Sequence, residues 1–259
     1  MKQPPENVIH FVGAGPGDPD LITVKGRKLL EAAEMVVYTG SLVPKALLAG
    51  LSAEIRDSAG LTLEQVIDLL AAAWRRGRAV VRLHTGDPAI YGAIGEQMAR
   101  LAELGIPWRV VPGVSSATAA AAALSAELTL PEISQTVIIT RRAGRTPVPE
   151  REKLAQLAAH QATMLILLSA GMVAEVAAEL ISGGYPPQTP AAVVEKASWP
   201  EERIVRGTLA DIASRAQAAG IAKTAIIAVG KVLAATPPPA LSRLYDPRFS
   251  HGYRAGDKS

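Results

Sequence analysis

Short runs rich in valine and isoleucine alternate with amphipathic stretches rich in alanine and leucine from residue 8 to residue 229. Repeated βαβ units produce that alternation, so the chain reads as an α/β protein. The pattern predicts strands at 8–12, 35–38, 79–84 and 108–111, with helices at 23–33, 63–76 and 90–104 between them. Gly77 and Gly105 stand where C-terminal helix stops belong. Hydrophobic residues make up 49% of the chain but aromatics only 4%. That balance suits parallel sheets covered by alanine-rich helices better than a β-sandwich.

The segment Pro112-Gly113-Val114-Ser115-Ser116 interrupts the pattern and opens an alanine-rich helix at 117–124. The expected division is an N-terminal α/β domain at 1–114, a C-terminal α/β domain at 115–235 and a tail at 236–259. Strands are expected in the second domain at 136–140, 164–168, 191–196, 203–206 and 225–229, with helices at 151–159, 173–182 and 209–219. The tail opens on Thr236-Pro237-Pro238-Pro239, which cannot lie inside a helix or strand and should run extended over the surface.

Several classes of function drop out. Cysteine is absent, which removes disulfides and thiolate metal sites and fits a reducing, cytoplasmic setting. His10, His84, His160 and His251 have no metal-ligand spacing, so no metal is expected. The N-terminus lacks a signal peptide's apolar stretch, and no apolar run reaches membrane-spanning length. A net charge of +3 without blocks of Lys/Arg and interleaved aromatics argues against a nucleic-acid surface.

The first strand runs into Gly13-Ala14-Gly15-Pro16-Gly17-Asp18-Pro19-Asp20. Ligands bind at such carboxyl ends in open α/β sheets, and glycines let backbone approach them closely. A dinucleotide fingerprint would need a third glycine where Asp18 stands, and an acid closing the next strand where Tyr38-Thr39-Gly40 stands. The pyrophosphate reading therefore fails. A second corner of the same kind, Thr85-Gly86-Asp87-Pro88, follows the strand ending at His84. Asp87 alone reads as a helix cap, but two Gly-Asp-Pro corners in one half point to a binding cleft. Trp74, Trp108 and Trp199 are accounted for by packing, and His84 reads as a satisfied core or loop imidazole, with contact to a ligand beside the second corner as its other reading.

These loops carry a resemblance. Residues 13–29, 85–92 and 112–116 are similar, in that order, to the opening, second and interdomain signatures of the tetrapyrrole methyltransferases. Residues 37–43, together with 242–246 and 251–254 of the tail, resemble one branch, whose members methylate carbon 11 of precorrin-4 in cobalamin synthesis. The resemblance implies two α/β domains holding S-adenosylmethionine between them, largely through backbone and apolar contacts, in a homodimer. It implies cofactor positions at Pro16, Gly86, Asp87, Ile90, Ser115 and Ser116, and at Leu168, Ser169, Ala197, Thr224 and Ala225.

An activated sulfonium methyl needs positioning more than a strong base. Asp18 is the one side chain expected to assist the chemistry, with loop stabilisation as its other reading. Carboxylates of a tetrapyrrole call for guanidinium forks, and Arg141, Arg142 and Arg145 follow a predicted strand. The alternatives are methylation at another position of a precorrin or of uroporphyrinogen, a nicotinamide-dependent oxidoreductase, and a non-catalytic ligand-binding protein.

Overall fold

The computed structural model describes residues 7–40, 42–234 and 242–256. The prolines 237–239 lie outside the described residues. Contacts divide the chain into two units, Met1–Ala119 with Ala197–Glu201, and Ala120–Lys196 with Glu202–Ser259. The division falls inside a helix, five residues beyond the 114/115 boundary expected from the sequence.

In the first unit, strands β1 (Ile9–Gly13), β2 (Met35–Tyr38), β3 (Glu54–Asp57), β4 (Val80–His84) and β5 (Trp108–Val111) form one sheet in the order β3-β2-β4-β1-β5. Every pairing is parallel. The helices are α1 (Val24–Glu31), α2 (Leu63–Arg75) and α3 (Ile94–Glu103), with α4 (Ser116–Ala123) after β5. Alternation along β1 sets the two faces: Ile9 and Phe11 pack with Val66, Leu70 and Leu101 of α2 and α3. Val12 packs with Leu30 of α1 on the other face. The helix starts are written locally. Thr23 Oγ1 accepts the Gly26 N–H at 3.1 Å, and Thr62 and Gln65 close a reciprocal capping box.

Two expectations for this unit change. β3 was not expected, because Glu-Ile-Arg-Asp on an exposed sheet edge has no apolar run to announce it. α3 begins at Ile94, because Tyr91 and Ala93 are left-handed, with φ of 54° and 49°. A helix cannot run through such residues.

In the second unit, β6 (Val137–Arg141), β7 (Thr163–Leu167), β8 (Pro190–Glu195), β9 (Arg203–Thr208) and β10 (Ala225–Val229) form a sheet in the order β6-β7-β10-β8-β9. Helices α5 (Leu154–Ala158), α6 (Val173–Ser182) and α7 (Ile212–Ala218) contribute Leu154, Val176, Leu180 and Ile212 to a core with Ile166, Val193 and Ile227. This sheet is mixed. Only β6 and β7 pair in parallel, while β10 is antiparallel to both β7 and β8, and β9 is antiparallel to β8. The link from β8 to β9 is too short for a parallel crossover, which explains that last pairing. Since β10 opposes both neighbours, the carboxyl ends of β6, β7 and β8 share one edge of the sheet with the amino end of β10.

Candidate functional site

The topology of the first sheet defines a switch point. From β1 the chain moves through α1 to β2 on one side, whereas from β4 it moves through α3, on the opposite face, to β5. Neighbouring strands β1 and β4 thus send their connections in opposite directions. Open α/β sheets bind ligands at that kind of switch point, beyond the strands' carboxyl ends.

Both Gly-Asp-Pro corners leave from this point, and they are bonded to each other. Gly86 N–H donates to Gly15 O at 2.8 Å, and Gly15 N–H donates to Gly86 O at 3.3 Å. The third signature joins them, with Gly113 N–H donating to Asp87 Oδ2 at 3.0 Å. The backbones are nearly in contact: a Cβ on Gly13 would lie 2.6 Å from both Gly113 Cα and Gly86 O. Only glycine permits that approach. Three segments far apart in sequence therefore meet as one backbone-lined junction.

Asp87 builds this junction. Its second oxygen, Oδ1, accepts the Ala89 N–H at 2.8 Å, so both carboxylate oxygens are engaged by main-chain donors. Asp18 caps a short 3-10 turn, Pro19–Leu21, by accepting the Asp20 N–H at 2.9 Å through Oδ1. The loop-stabilising role is thereby on view, while no hydrogen bond to Oδ2 is present among the described residues.

Sequence reading missed two residues that hold the first loop. Ser198 Oγ accepts the Asp18 N–H at 3.0 Å, and Trp199 Nε1–H donates to Pro16 O at 2.8 Å. The indole fills the space beside Gly17, where any Cβ would overlap it. A separation of 180 or more residues hid both contacts from the sequence.

Beneath the junction lies a buried polar layer. Arg82 is 4% exposed and donates to Gln97 Oε1, Val37 O and Ser58 Oγ. Burial lowers its pKa to about 10, with the charge of Asp57 opposing that effect, so it stays protonated at neutral pH. His84, at the end of β4, is 2% exposed and stacked on Phe11 at 5.8 Å between ring centroids. Its Nε2 is buried without a hydrogen-bond partner. Burial first, and the Arg82 charge second, push its pKa down to about 3, so the imidazole is neutral.

In the second unit, Leu168, Thr224 and Ala225 of the expected positions stand with Lys196 at one edge of the sheet, whereas Ala197 groups with the first unit. Leu168 leaves β7, Lys196 leaves β8 and Thr224 enters β10, with Lys196 N–H donating to Thr224 O at 2.8 Å. All three are left-handed, with φ of 55°, 49° and 52°. Strained non-glycine backbone of this kind clusters at functional sites. Leu168 is also 65% exposed, an unusual position for a leucine at a strand exit. Ala225 pairs with Glu195 at the same edge. Ser169 is different: it is fully buried, accepts the Arg142 N–H at 3.0 Å and donates to Leu167 O at 2.8 Å. Its hydroxyl is spent inside the unit.

Two of the three arginines make bonds within their own unit. Arg141 donates to Thr146 O and Pro147 O, folding its own loop. Arg142 pairs with Glu179 at 2.7 Å and contacts Met172 Sδ. Arg145 is exposed and has no ion pair among the described residues. Of the three guanidiniums expected to face a substrate, two are thus committed to the protein itself.

Residues 8–213 match the family described as Tetrapyrrole (Corrin/Porphyrin) Methylases. The chain belongs to that family. It is 56% identical over 253 residues to the cobalt-precorrin-4 C(11)-methyltransferase of Methanocaldococcus jannaschii, covering 96% of this chain and 97% of that one. Among solved structures, the X-ray structure of a cobalamin biosynthetic enzyme, cobalt-precorrin-4 methyltransferase, superposes with a TM-score of 0.87 at 48% identity, covering 90% of this chain and 99% of the other. The uroporphyrin-III C-methyltransferase of Thermus thermophilus, complexed with S-adenosylhomocysteine, gives a TM-score of 0.74 at 31% identity, over 88% and 99% of the two chains. Among the described residues, no His, Asp and Glu cluster could hold a metal ion, and no helix is long and apolar enough to cross a membrane.

Proposed function

We propose that this protein transfers a methyl group from S-adenosylmethionine to carbon 11 of precorrin-4 or its cobalt-bearing counterpart, leaving S-adenosylhomocysteine, in cobalamin biosynthesis. The observation that carries this reading is the 56% identity, over nearly the whole of both chains, to a relative of that named activity. The residues at the site fit the cofactor in kind. A nucleoside held mainly by main-chain groups and apolar contact suits a junction whose carboxylate is already engaged by backbone donors, and a sheet edge that exposes Leu168.

On this reading Pro16, Gly86 and Ile90, with Ser115 and Ser116, offer main-chain and apolar contact from the first unit. Leu168, Ala197, Thr224 and Ala225 are the further positions proposed for the cofactor. Asp87 holds the loops, and Ser169 contributes through backbone alone. When bound, the cofactor supplies a methyl group already activated by its sulfonium, so no residue of the chain needs to act as a nucleophile. What the chain supplies is orientation and exclusion of water. Asp18 is the side chain proposed to steady charge or receive a proton, through its Oδ2. Of Arg141, Arg142 and Arg145, proposed to pair with substrate carboxylates, Arg145 is the one whose side chain has no ion pair or hydrogen bond among the described residues. We place the enzyme in the cytoplasm as a homodimer, for which sedimentation of the purified chain is the check.

The test is anaerobic incubation with methyl-labelled S-adenosylmethionine and each precorrin, with and without cobalt, followed by mass and NMR analysis. The expected product is precorrin-4, or cobalt-precorrin-4, carrying one added labelled methyl at carbon 11. A label at another carbon, or transfer only to uroporphyrinogen, would replace this reading with its nearest rival.

A further inference from the structure

Residues 242–256 form a small module folded inside out. Its polar groups turn inward: Arg254 Nη2 donates to Leu244 O and Asp246 O at 2.8 and 2.7 Å, and Arg254 Nε is buried. His251 and Arg254 pair as an antiparallel bridge, and Gly256 N–H donates to Ser250 Oγ. Asp246 accepts the Arg248 N–H at 2.9 Å, and that bond chiefly holds its carboxyl below the usual range. These bonds all close within the segment, so the module has a shape of its own.

Its large apolar groups turn outward instead. Leu244 is 59% exposed, Tyr245 78%, Phe249 37% and Tyr253 100%. The Phe249, His251 and Tyr253 rings follow one another at centroid spacings of 6.4 and 6.5 Å. A segment that folds on its own main-chain and Arg254 bonds, leaving Arg254 Nε buried without a partner, and still presents its rings is built for contact. Charge narrows the choice of contact. The segment carries Arg243, Arg248 and Arg254 against a single acid, Asp246. Arg243 has no side-chain partner among the described residues, and Arg248 shares only the exposed Asp246.

We propose that this module binds the tetrapyrrole substrate, its rings stacking on the flat macrocycle while Arg243 and Arg248 pair with peripheral carboxylates. Aromatic faces and guanidinium forks together match a flat apolar body rimmed with carboxylates. The proposal rests on the tetrapyrrole reading of the site, and it adds the guanidiniums of Arg243 and Arg248 to those of Arg141 and Arg142, which already bond loop carbonyls and Glu179.

The test uses the full chain and uroporphyrin, a fluorescent polycarboxylate tetrapyrrole, as probe. In the triple variant Tyr245→Ala, Phe249→Ala, Tyr253→Ala, uroporphyrin binding should weaken by about tenfold or more. S-adenosylhomocysteine affinity should be unchanged, which also shows that the variant is folded. In the double variant Arg243→Ala, Arg248→Ala, the salt dependence of uroporphyrin binding should flatten. Unchanged uroporphyrin affinity in the triple variant overturns the proposal. If that variant also sediments at a lower mass than the parent, the module is a contact between copies of the chain. Because the probe is not a methyl acceptor in this assay, tail-dependent binding by a chain that leaves precorrin-4 unmethylated would refute the proposed reaction and spare the module's role.

Discussion

Replacing Asp87 by alanine is expected to lower stability by about 2 kcal/mol and weaken S-adenosylhomocysteine binding by about thirtyfold. The carboxylate accepts the Ala89 N–H through one oxygen and the Gly113 N–H through the other, so one side chain fixes the second loop and ties it to the interdomain segment. Hydrogen bonds to a charged acceptor contribute more than neutral ones, but the Ala89 bond is exposed and is discounted accordingly. Asp87→Asn keeps one oxygen acceptor and should show roughly half of both losses. Urea denaturation and calorimetric titration provide the two readouts. An unchanged midpoint and affinity in Asp87→Ala would mean the loops hold their geometry without it.

The second large effect is a pH dependence that His84 creates. Its pKa is about 3 in the folded protein against an ordinary 6.5. Between those values the unfolded chain takes up a proton that the folded chain refuses, so stability rises with pH across the window and falls as the solution is acidified below about 6.5. At pH 5 the loss relative to neutral pH comes to about 2 kcal/mol from this one group. His84→Leu removes the titrating group and also the cost of burying Nε2 without a partner. The variant should therefore gain on the parent as pH falls from 7 to 5, as followed by urea midpoints. Parallel losses in both proteins would show that His84 is protonated in the fold.

Much of the first unit was legible because its punctuation is chemical. Glycine and proline mark the corners, Gly77 and Gly105 mark helix ends, and the alternation of apolar runs with amphipathic stretches separates strands from helices. The two corners could be read as loops at strand ends, but the bonds between Gly15 and Gly86 could not, because only the order of strands makes β1 and β4 neighbours. Trp199 was legible as a packing residue without its partner, since nothing in its vicinity points to Pro16. The mixed second sheet was hidden for a related reason. Apolar runs such as Ala225–Val229 show that a strand is buried but carry no direction.

The arginines show what residue type alone leaves undistinguished. Arg141, Arg142 and Arg145 look equivalent in the sequence, yet their surroundings separate them, because loop carbonyls and Glu179 lie within reach of the first two. The buried layer of Arg82, Gln97 and Ser58 left no signal either, since Arg82 sits in a strand that is buried throughout and its acceptors come from distant segments. In both cases the sequence gives the donor, and tertiary structure supplies the acceptor.

On the proposed function, the junction of the three loops beyond β1 and β4 receives the cofactor. Hydrogen exchange of the purified chain, followed by mass spectrometry with and without S-adenosylhomocysteine, addresses it directly. The account predicts that amides in residues 13–18, 85–92 and 113–117 slow together when the ligand binds. Binding that slows amides elsewhere and leaves these three segments unchanged would contradict it.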